Sequence, residues 1–373
     1  MKIRSYLKVS ILLVLFLELT LCTSGCQKIK KIFIKPLPEG VTEKSYPVKA
    51  YAYQLSLVFH TRPQELMDYF GKDLSWLKKG AGALQVDTTK LRPYTDMTEV
   101  GQSVDFNFRM LGINFPCRMI SLKYKPDREM WWMMALPSDS WILLRFEIKP
   151  IPEGCALSLD VLGQPPKYLE AVMDAFKLVE AAALRADLVL TLIQAEFDPE
   201  LDVEKVTAKG VRGELYETFL QGYETSVWVD AEPDEVAQWI IANLDSCNPE
   251  IKIKGDCGSY SVFAQLSEEE VRHCPAALEF GNIELDTNTF LIWRTEGKER
   301  IYRVYLQGLD RIAFFQYEVS PEGGASRVGC MVVTEIPGAT SLRIMDIMMA
   351  LTSIPKRMRE ALVNIKQGVE GVG

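Results

Sequence analysis

The chain has 373 residues, enough for two or three domains, and 48% hydrophobic, 25% charged and 10% aromatic residues exclude disordered, collagen-like and low-complexity classes. A net charge of −8 speaks against a nucleic-acid partner, which requires a basic footprint. With only two histidines, His60 and His273, a histidine-rich metal site is not expected, and neither is a cofactor.

Residues 1–26 read as a leader rather than as fold. Lys2, Arg4 and Lys8 form a positive start, and Val9 to Leu17 is an apolar run broken only by Ser10. That run matches a signal-peptide core and is too short to span a bilayer. Leu21-Cys22-Thr23-Ser24-Gly25-Cys26 follows. Small residues directly before a cysteine resemble a bacterial lipobox, although Thr23 stands where that pattern usually has Leu. The resemblance implies lipidation of Cys26 and anchoring of the chain to a membrane. The alternatives are an ordinary cleaved signal and an uncleaved short anchor. Gln27 in place of Asp then favours the outer over the inner membrane, in an organism that has both and obeys the enterobacterial sorting pattern. Residues 27–45 carry five lysines and two prolines without a strand or helix period, and read as a tether. Its lysines either touch anionic headgroups or are simply solvated.

Beyond the tether the chain repeats. Phe146 to Gly154 aligns with Phe315 to Gly323 at an offset of 169, sharing Pro-Glu-Gly. Phe59 to Leu66 aligns with Val229 to Val236, and Met173-Asp174, Arg185, Leu190 and Ile193 align with Met345-Asp346, Arg357, Leu362 and Ile365. These blocks predict two copies of one domain, 46–197 and 214–370, joined by a polar linker at 198–213.

Each copy opens on a short apolar strand, Gln54–Phe59 or Thr225–Val229. A helix follows, with Pro63 or Pro233 at its start, where proline's missing donor is unpaired anyway. Strands with period-two alternation come next. Val104, Phe106, Phe108 and Met110 alternate with polar neighbours; so do Ile142, Leu144, Phe146 and Ile148, then Cys155, Leu157, Leu159 and Val161. That pattern predicts an antiparallel sheet with one buried and one wet face. Pro-Glu-Gly sits where a hairpin turn belongs. Each copy ends in a long amphipathic helix, 168–194 or 341–367. Pro355 predicts a kink or break in the second, with Ser353 capping a new segment.

Strand, helix, antiparallel strands and a long last helix resemble the START-like (SRPBCC) superfamily, which includes Bet v 1-like proteins and polyketide cyclases. The resemblance implies α+β architecture: two tandem helix-grip domains, each a curved antiparallel sheet wrapped around a long C-terminal helix. It also implies a cavity between sheet and helix for a lipid or other apolar molecule. The residues expected to line it are Phe106, Phe108, Met110, Trp131, Met133, Leu144, Phe146, Leu157, Met173 and Phe176 in the first copy. In the second they are Phe315, Tyr317, Cys330, Met345 and Met348.

The remaining chemistry is sparse. Cys155 and Cys330 read as small core residues, and one disulfide among Cys247, Cys257 and Cys274 is plausible in an exported protein. No GxSxG, GxGxxG or Walker-type motif occurs. Met130-Trp131-Trp132-Met133-Met134 lines a pocket or a membrane-facing edge, or else is a doubly buried strand or a contact between domains. The expected function is therefore an exported, lipid-anchored envelope protein, not an enzyme, that binds an apolar molecule. The alternatives are a structural or partner-binding envelope protein without a ligand, and an enzyme of cyclase or hydrolase type on the same fold.

Overall fold

A computed structural model describes residues 40–371, apart from internal stretches of which 80–85, 88–95, 165–177, 255–270 and 336–343 are the longest. The leader, Cys26 and most of the tether lie outside the described residues. So does the first part of the helix expected at 168–194. Residues Glu43–Gly373 form one compact unit.

The first half runs β1 (Thr42–Phe59), α1 (Pro63–Gly71), α2 (Trp76–Lys79), β2 (Val86–Asp87), β3 (Ser103–Met110), β4 (Ile113–Lys125), β5 (Glu129–Ala135), β6 (Trp141–Ile151), β7 (Gly154–Gln164) and α3 (Leu178–Phe197). A short helix, α4 (Val203–Thr207), leads out of it. The second half repeats the order with β8 (Glu214–Val229), α5 (Pro233–Ala242), β9 (Ile251–Ile253), β10 (Arg272–Phe280), β11 (Ile283–Glu296), β12 (Glu299–Gly308), β13 (Arg311–Glu322), β14 (Ala325–Thr334) and α6 (Ile344–Glu370). Pro63 and Pro233 occupy the first turns of α1 and α5. Strand β1 begins at Thr42, so the last residues of the expected tether are already sheet. Of the kink or break expected at Pro355, there is no break: helix α6 runs through Pro355 without a second start at Ser353.

Among the described residues all fourteen strands join one sheet, in the order β2-β3-β4-β5-β6-β7-β1-β8-β14-β13-β12-β11-β10-β9. The last strand of each half folds back onto its first. Phe59 pairs with Cys155 on β7, and Val229 pairs with Ser326 on β14. Strands β1 and β8 meet at the centre and run antiparallel: Lys49 pairs with Glu217 at 3.0 Å, and Gln221 donates to Ser45 at 3.0 Å.

That seam changes the fate of the sheet's second face. In β1, Val48, Ala50 and Ala52 are buried on one side, and from Tyr53 onward Leu55, Leu57 and Phe59 are buried on the other. The first set joins a cluster drawn from both halves: Ile120, Trp131, Met133 and Leu143 from the first, Leu220, Phe290 and Val333 from the second. The second set joins a core under α3 with Phe70, Trp132, Phe146, Leu190 and Ile193. The face expected to be wet is thus covered over β4 to β6 by the other half. Close approach is built in here: a Cβ on Gly101, whose φ is +93°, would stand 2.6 Å from His273 Cβ.

Each terminal helix also holds the start of the other half's first strand. From α3, the buried Asp187 pairs with Arg212, just ahead of β8, at 2.8 Å. The same guanidinium donates to Thr191 at 2.6 Å and Gln194 at 3.1 Å, one turn apart along α3. From α6, Arg359 pairs with Glu43 of β1 at 3.4 Å. The two clasps are equivalent in position and opposite in sign.

The repeated Pro-Glu-Gly stretches make different turns. In the first half Pro152 and Glu153 turn the chain and Gly154 opens β7 with φ +145°. In the second, Glu322 is still strand, and Gly323-Gly324 turn with φ +64° and +89°, the pair of positive angles of a type I′ hairpin. A Cβ on Gly154 would meet the Phe59 carbonyl oxygen at 2.2 Å, whereas nothing lies within 4 Å of one on Gly323. Gly154→Ala should therefore cost about 3 kcal/mol or more, and Gly323→Ala only about 1 kcal/mol. Urea unfolding midpoints of the two variants will test this contrast.

Candidate ligand-binding face

Under α3 the first half gathers a ladder of rings. Phe59 meets Phe197 at 5.9 Å between ring centres, and Phe197 meets Tyr69 at 5.3 Å. Phe70 touches Phe146 at 5.3 Å and Trp76 at 5.5 Å. Trp76 stacks on Trp132 at 6.2 Å, and Trp132 meets Phe146 edge-on at 5.2 Å. Met67, Met97, Met119 and Met130 fill between them, fully buried. Unbranched thioethers adapt to irregular shapes, so this lining is both apolar and deformable.

Few polar atoms enter. The Trp76 indole N–H donates to the Phe70 carbonyl at 3.1 Å. The Trp132 indole N–H is buried with no acceptor, whereas the buried Tyr53 hydroxyl lies against the backbone N–H of Gly213. A buried donor without a partner forfeits about 1–3 kcal/mol, so the Trp132 indole marks a place where an acceptor would be stabilised.

The residues expected to line the cavity divide three ways. Phe106, Phe146 and Leu157 are buried in the core under α3, and Leu144 packs against it. Trp131 and Met133 point the other way, into the cluster shared by the halves, because alternation on β5 puts Trp132 rather than Trp131 on the helix side. In the second half Tyr317 and Cys330 are buried and Phe315 is half-buried. Met173 and Phe176 lie outside the described residues, as do the side chains of Phe108, Met110, Met345 and Met348. Sequence reasoning missed Phe70, Trp76, Tyr53 and Trp132. Of these, Trp132 carried a signal, since the Trp-Trp pair must show one ring to each face.

The thiols are structural in placement. Cys117, Cys155, Cys247 and Cys330 are free and buried, Cys274 is disulfide-bonded, and Cys257 lies outside the described residues. The Tyr317 hydroxyl donates to the Cys247 carbonyl at 3.0 Å. Burial pushes the Cys330 thiol up to about 12 against the opposing pull of Tyr317. Burial, helped by the charge of Asp187, pushes Tyr53 up to about 12. Both folded values lie above their unfolded ones, so the stability they confer is complete below the unfolded pKa and is lost as pH rises towards 12. Each tenfold change in proton affinity is worth about 1.4 kcal/mol, so the chain should lose several kcal/mol between about pH 9 and 12. Cys330→Ala should flatten the slope of urea midpoint against pH across that window.

A concavity of about 140 Å³ opens on the sheet face shared by the two halves, beside the seam. Arg145 of β6 lies in it, donating to Asp160 at 3.1 Å and to Glu335 of the second half. Burial works against the guanidinium's charge, but the two carboxylates outweigh it and push its pKa up. Its plane lies 4.7 Å from the ring of Trp131. Tyr216 and Thr218 of β8, on the same face as Leu220, border it.

His60 sits in the open, 3.9 Å from Asp198 and 3.2 Å from the Glu153 carbonyl oxygen. His273 is hydrogen-bonded to Asn288 at 3.0 Å and stacks on Phe290 at the contact between halves.

The fold is a helix grip. It is read from this topology: seven strands in each half, the seventh closing on the first, curled over one terminal helix. No family model matches the chain, and no curated protein matches it. Among solved structures, protein CV1439 from Chromobacterium violaceum aligns at 16% identity over 40% of this chain and 99% of its own, with a TM-score of 0.30. The human StarD13 lipid transfer and protein localization domain aligns at 13% identity over 40% and 76%, with a TM-score of 0.29. DynU16, a putative protein in the dynemicin biosynthetic locus, spans 89% of this chain and 100% of its own, at 10% identity and a TM-score of 0.23.

Proposed function

We propose that this chain is an exported, lipid-anchored envelope protein that holds an apolar small molecule or lipid between sheet and helix, without catalysing a reaction on it. The duplicated helix grip is then a tandem of two START-like domains. The observation that carries the reading is the lining under α3: contiguous rings and methionines, with the Trp132 indole N–H buried in their midst and lacking an acceptor. Such a lining suits a mostly apolar ligand with few polar atoms. The disulfide at Cys274 accords with an oxidising compartment.

Residues 27–373, expressed in bacteria and examined by native mass spectrometry and then by lipid extraction, test the binding. A discrete co-purified mass, one or two per chain, supports it. A bare chain that takes up nothing from lipid extracts supports instead the ligand-free, partner-binding alternative, which the mutual contacts of the same rings favour. Anchoring is tested separately: with the leader intact, Cys26→Ser should move the chain from the membrane to the soluble fraction. An unchanged distribution would remove the lipid anchor from the proposal.

A further inference from the structure

We infer that the molecule held under α3 carries a neutral oxygen, a carbonyl or a hydroxyl, and seats it at Ser121 and Trp132; this rests on the reading of that face as a binding site. The two residues stand directly opposite each other on β4 and β5, so both project to the same side of the sheet. That side is the one under α3: Met119 and Met130, at alternate positions on the same two strands, belong to the core there, whereas Ile120 and Trp131 belong to the cluster on the other face. Ser121 and Trp132 are both fully buried, and neither the serine hydroxyl nor the indole N–H has a hydrogen-bond partner. Both are also held in place. The Ser121 N–H donates to the Gln102 carbonyl at 2.9 Å, and its carbonyl accepts from the Gly101 N–H at 2.8 Å. The Trp132 ring is fixed by its contacts with Trp76 and Phe146.

The pair selects the polar end of the ligand. An indole N–H only donates, while a hydroxyl donates or accepts, so the partner both can share is an oxygen with free lone pairs. A pure hydrocarbon would leave both groups unmet. An ammonium would set donor against donor at the indole. A carboxylate would enter without a countercharge, because the fully buried polar residues among those described include no lysine or arginine. A ketone, an ester or an alcohol on an otherwise apolar molecule meets every one of these conditions. The second half keeps only part of the arrangement. Thr289 of β11, the strand corresponding to β4, is fully buried with its hydroxyl unpartnered, on the side opposite Phe290 of the shared cluster. Its counterpart on β12 is Leu306, which brings no side-chain donor, so the paired seat is a feature of the first half.

The test uses the full chain and three probes of one shape, naphthalene, methyl naphthyl ketone and naphthoate, followed by ligand-observed NMR at neutral pH. The ketone should bind about tenfold more tightly than naphthalene, the ratio that one net hydrogen bond supports, and naphthoate more weakly than either. Trp132→Phe keeps a ring in place and removes the donor, so it should erase the preference for the ketone and leave naphthalene binding unchanged. Ser121→Ala should reduce the preference about threefold. A readout independent of affinity is the carbonyl stretching band of the bound ketone, which should lie lower in the wild type than in Trp132→Phe. Equal affinities for naphthalene and ketone in the wild type, the result expected if the two groups hold only a water, would overturn the polar seat and leave the apolar site standing. A preference and a band position unmoved by both substitutions would do the same. Saturable binding of none of the three probes would overturn this inference together with the reading beneath it. Ser121→Ala and the wild-type comparison decide the matter even where Trp132→Phe does not fold.

Discussion

Arg212→Ala is expected to destabilise the chain by about 3–5 kcal/mol, the range for stripping the partner from a buried charge. The loss has a specific origin. Asp187 is buried on α3 and receives both the side chain and the backbone N–H of Arg212. Without the guanidinium, Asp187 keeps one hydrogen bond and no countercharge, and Thr191 and Gln194 lose a shared donor. Asp187→Ala should cost less than Arg212→Ala, because the arginine left behind can reach water, being 22% exposed. The reversed pair, Asp187→Arg with Arg212→Asp, should recover part of the loss. Urea unfolding of the wild type, the two alanine variants and the Asp187→Ala/Arg212→Ala double forms the cycle, and a cycle with no coupling would show that the clasp contributes nothing beyond its members.

Trp132→Ala should cost a similar amount, about 3–5 kcal/mol, as expected for truncating a large aromatic inside a core. Its ring is fully buried and touches Trp76 and Phe146, so the void has no flexible neighbour of equal size to fill it. Trp228→Ala supplies the contrast. That ring is 44% exposed and is covered on one side only by the Lys366 ammonium at 5.2 Å, so its loss should stay below about 1 kcal/mol. A thermal or urea midpoint that falls equally in both variants would contradict the packing described for the first half.

The order of elements was legible because local signals carry it. Proline at α1 and α5, and period-two alternation in β3, β6 and β7, act within a few residues, and the aligned blocks at offsets of 169 to 172 repeat them. Which face of a strand is covered is a different matter. Alternation states that Leu143 and Leu144 point opposite ways, but not that both sides are covered. The answer came from the meeting of β1 and β8, for which neither strand has a distinguishing residue. Arg145 reads as a solvent-facing charge for the same reason, although it lies in the cleft between halves. Asp187 was visible as a carboxylate inside an apolar helical run, but its partner, 25 residues on, was not. The turn after Glu322 moved because Gly324 offers a second positive φ, where the first half has only Gly154.

The opposite signs of the two clasps bear on which assemblies these halves permit. Consider two copies of the first half joined at the same seam. Each α3 would then set Asp187 against the Glu43 of its neighbour, carboxylate on carboxylate. Two copies of the second half would set Arg359 against Arg212. Only the mixed pairing matches acid with base at both ends, and the single chain holds that pairing at high effective concentration through the short segment around α4. Like-charge juxtaposition at a packed contact counts against the wrong partner as surely as attraction favours the right one. A duplication that kept identical ends could exchange halves between neighbouring molecules and grow into open chains. With its charges inverted between the copies, this protein discourages like halves from pairing and favours closure upon itself.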